Sequence, residues 1–456
     1  MSVTDRKPTA PGSDPDPRVP FPACGTIYPP AVYTVSNDLE LNRNYSARLY
    51  LDHMLNGLEE EYRIRFPNGR LDYDFFSPVK VTSPSAEDPN IVYNRGEACF
   101  EDTAEIPLLL NGALSGERFS VRHRSVLNSV SGKVTPRILC IGDSITWGEG
   151  AVTPECPGDN RVYWLKCLEL LKQDQIDSGG SGYGALFLGK AVRRSRRFVY
   201  KSNECEVSGN CEGYRGWSFS TFYSEHSPFY DAGTGKFSVN KWLAAYRTMD
   251  DSGKRLSVGA GTGSGIDESN VNEIDVCAPT VVTIMLGANG GGTAEQFKKL
   301  VSDIREEYPA VPIGLMVSDS AGTFFPSEHP AASRELTYWN NTARDQGDAG
   351  HRHGIMFRTM KAILDAFGGD EAERDNIFIL PFYFVQQTAE SGEMRSVPEP
   401  AAEFPFMRAQ SELYTRFGWC PTTHVNAAAH ANFAYQLYAW LKYLEVNALI
   451  PDEGRR

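Results

Sequence analysis

The chain is short of positive charge: 45 lysines and arginines stand against 58 aspartates and glutamates, a net charge of −13 over 456 residues. That balance argues against nucleic acid or an anionic membrane as the main partner, since both reward a basic surface. Long apolar runs are also missing. The longest, "PTVVTIML" and "IPLLL", fall far short of the ~20 residues that cross a bilayer, so no transmembrane segment is expected. The nine cysteines contain no C-x-x-C pair, which is the usage of a reduced compartment rather than of a disulfide framework. Cys205 and Cys211 flank a short glycine-containing stretch and are the best candidates for a bridge, although two free thiols are expected. The opening stretch "MSVTDRKPTAPGSDPDPRVP" has no apolar core of the secretory type, so either that route is not used or a leader has been removed. A soluble chain is expected, in the cytoplasm or within a larger extracellular or virion assembly. No internal repeat is found.

What is present divides into three parts. Residues 1–27, rich in Pro, Asp and Ser, cannot bury enough apolar surface to fold alone and read as a tail or docked arm. From 28 to 135, short segments such as "LNRNYSARLYL", "EYRIRFP", "LDYDFF" and "RFSVRHRSV" alternate polar with apolar residues between "PNG", "SPS" and "NRG" turns. This pattern predicts a small antiparallel β-sandwich domain. From 136 to 450 the texture changes to apolar strands alternating with amphipathic helices, the mark of an α/β domain with a parallel sheet covered on both faces. The strands are read at "RILCIG", "TVVTIMLGA", "PIGLMVSDS" and "NIFILPFYF", with a further one near "RFVYK". In "TAEQFKKLVSDIREEY", Phe297, Leu300, Val301 and Ile304 share one helix face, and Thr293 with Gln296 forms a capping box. The last helix, "NAAAHANFAYQLYAWLKYLEVN", aligns Phe433, Leu437, Leu441 and Leu444. Residues 175–214, glycine-rich and carrying the run "RRSRR" (Arg193 to Arg197), read as an insertion over one sheet edge. A solvated loop is expected there, with a substrate-gripping lid as the alternative.

Candidate chemistry starts at "ILCIGDSITWGEG". An apolar strand stops on Gly142, and Ser144 follows at the carboxyl end of the sheet, where active sites of open parallel sheets form. A serine hydroxyl needs a base, and a neutral imidazole is the side chain best suited to that work near neutral pH. His424, just before the final helix, is the candidate; the positive end of that helix disfavours imidazolium. Attack on an ester carbonyl makes an oxyanion that preorganised donors must meet. The backbone N–H groups of Ser144 and Gly216 and the side-chain amide of Asn289 could supply three. Gly216 suits the task because it lacks a Cβ. Asp143 reads as a loop-fixing acceptor rather than a catalytic acid, being adjacent to the nucleophile.

Four blocks, "GDSITWG", "YRGWS", "LGAN" and "THVN", occur in that order and supply Ser144, Gly216, Asn289 and His424. In this the chain resembles the SGNH, or GDSL-type, serine hydrolase family over about 315 of its 456 residues. The resemblance implies a flavodoxin-like domain with a five-stranded parallel sheet between helices, and an esterase needing neither metal nor organic cofactor. Two positions depart from the family. The acid normally three residues before the histidine is replaced by Pro421, so a backbone carbonyl, of Pro421 or a neighbour, is the first candidate to orient His424; Glu403, Glu412 or Asp319 is the second. Where the family generally has Asn followed by Asp, this chain has Asn289 followed by Gly290, which removes a loop-bracing carboxylate.

The remaining histidines read as bystanders. His351 and His353 have metal-binding spacing without a partner cluster, His430 reads as packing or surface, and His226 as a loop residue. The aromatics Trp147, Tyr214, Trp217, Phe219, Phe222, Tyr223, Phe229 and Tyr230 suggest an apolar-lined cleft suited to sugar rings, with Trp147, Tyr214 and Trp217 closest to the motifs. Core packing is expected to claim about half of them. The expected substrate is an acetylated polysaccharide or glycan. Hydrolysis of short-chain lipid esters and an inactive glycan-binding role on the same scaffold are the alternatives, and an oligomer or larger assembly is compatible with each.

Overall fold

The computed structural model describes residues 29, 31–36, 44–45, 47–50, 64–65, 72–75, 99–110, 113–127, 135–149, 151, 161–177, 184–247, 278–318, 352–385, 425 and 427–451. The tail at 1–27, His351, Asp319, Glu403, Glu412, Pro421 and His424 lie outside them. The fold is mixed α/β.

Its N-terminal strands are β1 (Ala31–Ser36), β2 (Asn44–Tyr45), β3 (Ala47–Tyr50), β4 (Ile64–Arg65), β5 (Asp72–Phe75), β6 (Cys99–Leu110) and β7 (Ala113–Leu127). Five of them form a sheet in the order β2-β1-β7-β6-β4, while β3 pairs with β5 separately. Most pairs are antiparallel, as the alternating texture predicts, but β1 runs parallel to β7. Alternation reports which residues face inward and carries no information about the direction of a distant partner. Ala31 to Val35 are all buried.

The second sheet contains β8 (Arg137–Gly142), β9 (Leu186–Leu188), β10 (Val192–Tyr200), β11 (Asn203–Gly213), β14 (Val281–Met285), β15 (Ile313–Met316) and β16 (Ile377–Ile379). The small hairpin β12 (Tyr230–Asp231) and β13 (Lys236–Phe237) stands apart. β11, β8, β14, β15 and β16 lie side by side, all parallel. Taken in chain order these five strands are arranged second, first, third, fourth, fifth. Every residue of β14, β15 and β16 is buried, as continuous apolar runs in a doubly covered sheet require.

The helices are α1 (Ser144–Trp147), α2 (Tyr163–Asp177), α3 (Phe219–Phe222), α4 (Val239–Arg247), α5 (Ala294–Glu307), α6 (Arg352–Phe367), α7 (Asp370–Arg374), α8 (Phe382–Val385) and α9 (Ala427–Val446). α2 packs on α9, and α5 on α4 and α6. The sheet grows to one side of β8 once and then to the other side, so right-handed crossovers place these two helical groups on opposite faces. The capping box at α5 forms as read: Thr293 Oγ1 accepts from the Gln296 N–H, and the Gln296 side chain accepts from the Thr293 N–H. α9 buries Phe433, Leu437, Leu441 and Leu444 completely.

α9 also joins the two sheets. The Gln436 amide donates to the Tyr33 carbonyl (3.0 Å) and accepts from the Tyr33 N–H (3.1 Å), pairing both backbone groups of a buried strand residue. Each would cost about 1–3 kcal/mol if left unmade. Arg124 adds ion pairs to Glu373 (2.6 Å) and Glu101 (2.8 Å), and one continuous apolar core runs from β1 into the parallel sheet.

Two sequence expectations are corrected. Residues 192–213 are a long antiparallel ribbon, β10 with β11, rather than a solvated loop. "RRSRR" lies in β10, where the strand alternation turns Arg196 inward onto Glu169 (2.5 Å) and leaves Arg197 outside. Cys205 and Cys211, by contrast, are free as expected: they sit six residues apart on one extended strand, roughly 20 Å at ~3.3 Å per residue, beyond disulfide reach. "NIFILPFYF" is a strand only to Ile379, after which Pro381 leads into α8.

Candidate active site

Three loops leave the sheet together. Gly142, the last residue of β8, is the lateral partner of Gly213 in β11 and of Met285 in β14. Neighbouring strands lie ~4.8 Å apart, so the segments that follow emerge side by side at the carboxyl edge. Ser144 comes two residues after Gly142, Gly216 three after Gly213 and Asn289 four after Met285. The Tyr214 N–H donates to the Gly142 carbonyl (3.0 Å), extending the β11–β8 pairing into the loops.

Ser144 opens the one-turn helix α1, and Asp143 is its N-cap: the Asp143 carboxylate accepts from the Ile145 N–H at 3.0 Å. Ser144 is only 3% exposed. The turn is pressed onto the strand ends. A Cβ at Gly142 would collide with the Thr146 side chain and come within 2.8 Å of the Met285 carbonyl oxygen. One at Gly213 would meet the Trp147 backbone and lie 2.7 Å from the Thr146 carbonyl carbon. Beneath the turn, the Thr146 carbonyl accepts from the Trp164 indole (2.9 Å) and the Cys211 thiol (3.4 Å), and its hydroxyl bonds the Tyr163 hydroxyl (3.2 Å). Burial pushes the Cys140 thiol up to about 12 and those of Cys167 and Cys211 well above the usual range, so none of these thiols is a competing nucleophile.

Gly216 occupies a left-handed conformation (φ +73°) with open space where a Cβ would project. Its neighbours hold it. Tyr214 and Trp217 stack face to face at 3.8 Å and 10°, and the Trp217 N–H donates to the Tyr214 carbonyl (3.3 Å). Asn289 Nδ2 donates to the Trp217 carbonyl at 3.1 Å, tying the third loop to the second and engaging one of the amide's two N–H bonds. Arg215 forms a two-point ion pair with Glu149 (2.6 and 3.2 Å), tying the second loop to the first. The half-buried Trp147 ring lies between the guanidinium groups of Arg215 (4.2 Å) and Arg194 (4.5 Å).

The loop after β14 takes left-handed backbone at Gly287, Gly290 and Gly291 (φ +132°, +88° and +77°). An aspartate at position 290 would be strained there. Bracing comes instead from the Gly292 N–H to Thr359 Oγ1 (3.0 Å) and the Gly291 N–H to the Gly287 carbonyl (3.0 Å).

His424 and Pro421 lie outside the described residues, and the helix α9 that follows begins at Ala427. Val425 is fully buried, and His430 stacks on Tyr163 (6.1 Å, 3°), the residue whose hydroxyl meets Thr146. His430 is fully buried and belongs to the packing. His226 is exposed. Phe219, Phe222 and Phe229 lie in the core, and Tyr214 and Trp217 are each 6% exposed, so of the eight aromatics expected near a cleft, most face inward. Among the described residues no group of three or more His, Cys, Asp or Glu side chains could hold a metal ion, and no helix is long and apolar enough to cross a membrane.

Sequence reasoning passed over Glu212, Glu149, Arg215 and Thr359. Glu212 alone left a signal: a lone acid in "SGNCEGY", immediately before a glycine and a predicted motif. It is fully buried, and desolvation raises its carboxyl above the usual range.

No protein-family model and no curated protein matches the chain. Three solved structures are similar at low levels. A carbohydrate esterase family 2 enzyme plus carbohydrate binding domain from Corynascus thermopiles (Myceliophthora fergusii) is 13% identical, with a TM-score of 0.31, covering 94% of this chain and 97% of its own. An acetyl esterase mutant crystallised with acetate ion is 12% identical, with a TM-score of 0.27, covering 69% and 99%. An alpha/beta hydrolase enzyme from the metagenome of Lake Arreo, Spain, is 11% identical, with a TM-score of 0.26, covering 71% and 100%. Likeness at this level assigns neither family nor activity to this chain.

Proposed function

We propose that the chain is a serine esterase of the SGNH type that removes O-acyl groups, O-acetyl foremost, from a carbohydrate. What supports this reading is that Ser144, Gly216 and Asn289 follow three laterally paired strand ends within two to four residues, in loops cross-linked by Asn289 to Trp217 and Arg215 to Glu149. The second-first-third-fourth-fifth strand order supports a flavodoxin-like arrangement, in which ligands bind beyond the carboxyl ends of the strands. The approach of α9 to Tyr163 supports His424 as the base, because it brings the helix following that residue within one aromatic ring of the Ser144 turn.

In the proposed mechanism Ser144 Oγ attacks the ester carbonyl while His424 takes its proton. The oxyanion is met by the N–H groups of Ser144 and Gly216 and by the remaining N–H of Asn289. His424 then passes the proton to the departing sugar hydroxyl, leaving acyl-Ser144. Water, deprotonated by His424, releases the acid and restores the serine. Asp143 caps the turn, and a backbone carbonyl near Pro421 orients His424. The overall negative charge favours an uncharged ester. The 28–135 segment orients the glycan chain.

The test is turnover of p-nitrophenyl acetate by the purified chain and by Ser144→Ala, followed by acetate release from a panel of acetylated glycans. Loss of at least about 10³-fold in Ser144→Ala, with acetate released from a glycan, is expected. Equal rates in the two proteins would replace this reading with that of an inactive glycan-binding scaffold.

A further inference from the structure

We infer that Glu212 is a positioning residue for the oxyanion donors: by anchoring Tyr214 it fixes the turn that carries Gly216 and, through Trp217, the amide of Asn289. This inference rests on the esterase reading above.

A fully buried carboxyl is an expensive feature that an apolar residue of similar size would avoid. Glu212 does not reach solvent and therefore cannot exchange protons with a substrate. Its oxygens are committed to backbone and to one neighbour. Oε1 accepts from the N–H groups of Lys190 (2.5 Å) and Ala191 (3.4 Å), and Oε2 accepts from the Tyr214 hydroxyl. The Trp242 side chain also faces it. Burial favours the neutral acid, and either form retains oxygen acceptors for these donors.

The tyrosine is thus held at both ends. Its N–H is fixed to the Gly142 carbonyl (3.0 Å), its hydroxyl to Glu212, and its ring then provides the surface on which Trp217 lies at 3.8 Å. The Trp217 carbonyl receives Asn289 (3.1 Å). Gly216 lies in the turn between these two residues, with no side chain of its own and nothing within 4 Å of where a Cβ would project. Its N–H can point at a developing oxyanion only as well as the flanking residues hold it. The Arg215–Glu149 pair supplies a second, more exposed support, so loss of the Glu212 anchor loosens the turn without releasing it.

Steady-state kinetics on p-nitrophenyl acetate decide the matter, using Tyr214→Phe, Asn289→Ala, their double variant and Ser144→Ala, with thermal melts to confirm folding. Tyr214→Phe is expected to lower kcat about tenfold with KM changed less than about twofold, because oxyanion donors act in the transition state and not in the ground state. In the Asn289→Ala background the same substitution should cost clearly less than about tenfold, since one of the two donors it positions is gone while the Gly216 N–H remains. A purely structural role would leave the kcat of the folded protein unchanged or give additive losses, and either result overturns the inference. If Tyr214→Phe does not fold, Glu212→Gln is read by the same two criteria, with an expected loss of about threefold. Inactive Ser144→Ala together with an unaffected Tyr214→Phe sinks only this inference. Fully active Ser144→Ala sinks the esterase reading beneath it.

Discussion

Buried and half-buried polar groups do different work in the two sheets. At the carboxyl ends of β8, β11 and β14 they bind loop backbone: Asp143 to the Ile145 N–H, Glu212 to the N–H groups of Lys190 and Ala191, Thr359 to the Gly292 N–H, and Asn289 to the Trp217 carbonyl. Beside β1 and β7 they join separate elements to one another. Arg124 reaches Glu101 on β6, Glu373 on α7 and the Tyr33 hydroxyl on β1, while lying over the Tyr443 ring of α9 at 4.8 Å. The first arrangement fixes where individual backbone donors point. The second fixes how layers sit. Changes near β8 should therefore register in catalysis, and changes near β7 in stability.

The sharpest break is expected from Gly213→Ala. Its Cβ would press on the backbone of Thr146 and Trp147, which cannot swing away as a side chain would, so the Ser144 turn must shift. A displacement of about 1 Å at a nucleophile costs about 10²-fold in rate. We expect kcat/KM to fall by at least that factor in protein that still melts cooperatively; wild-type kinetics would show that the turn is not set by close packing.

Arg124→Met should do the reverse. It leaves Glu373 with Arg122 alone (3.0 Å), and losing one arm of a largely buried ion-pair network costs about 2–3 kcal/mol. Urea unfolding is expected to show that loss while the kcat of the folded protein stays within about twofold. A drop in kcat without a change in stability would erase the distinction between the regions.

The smallest effect is one of pH. His123 on β7 bonds the Thr34 hydroxyl at 2.8 Å, and burial pushes its pKa down to about 4, with Asp102 opposing. The unfolded chain takes up this proton near pH 6.5 and the folded chain only near 4, so stability is lost as pH falls between those values. After allowance for partial solvent access, the loss is about 2 kcal/mol. His123→Gln should flatten the stability profile between pH 6.5 and 4; an unchanged slope would assign it to other groups.

Much of the parallel sheet was legible in the sequence because fully buried strands must be apolar at consecutive positions, as in "RILCIG" and "VVTIM". The α5 cap and the α9 face were legible for the same reason: local chemistry dictates them. The parallel β1–β7 pair was not, since a strand's own residues do not encode the direction of a partner about 90 positions away. Of the β10–β11 ribbon only the end near "RFVYK" was read as a strand; the arginines before it resemble a surface loop until strand alternation turns Arg196 onto Glu169. At the site, the motifs give the positions of Ser144, Gly216 and Asn289, but the contacts bracing them come from Glu212, Arg215 and Thr359. Those are ordinary residues whose role exists only once distant segments meet. Gly290 changes meaning most: a missing carboxylate in the sequence is, in the fold, one of three left-handed glycines that shape the loop.

The central claim is that Ser144 is the nucleophile and is activated from α9's side of the site. Its most direct test is to treat the protein with diethyl p-nitrophenyl phosphate and locate the adduct by mass spectrometry. The account predicts one diethylphosphoryl group on the peptide containing Ser144, formed at least about 10²-fold more slowly in His424→Ala. No adduct at Ser144, or labelling at an equal rate in both proteins, would contradict it.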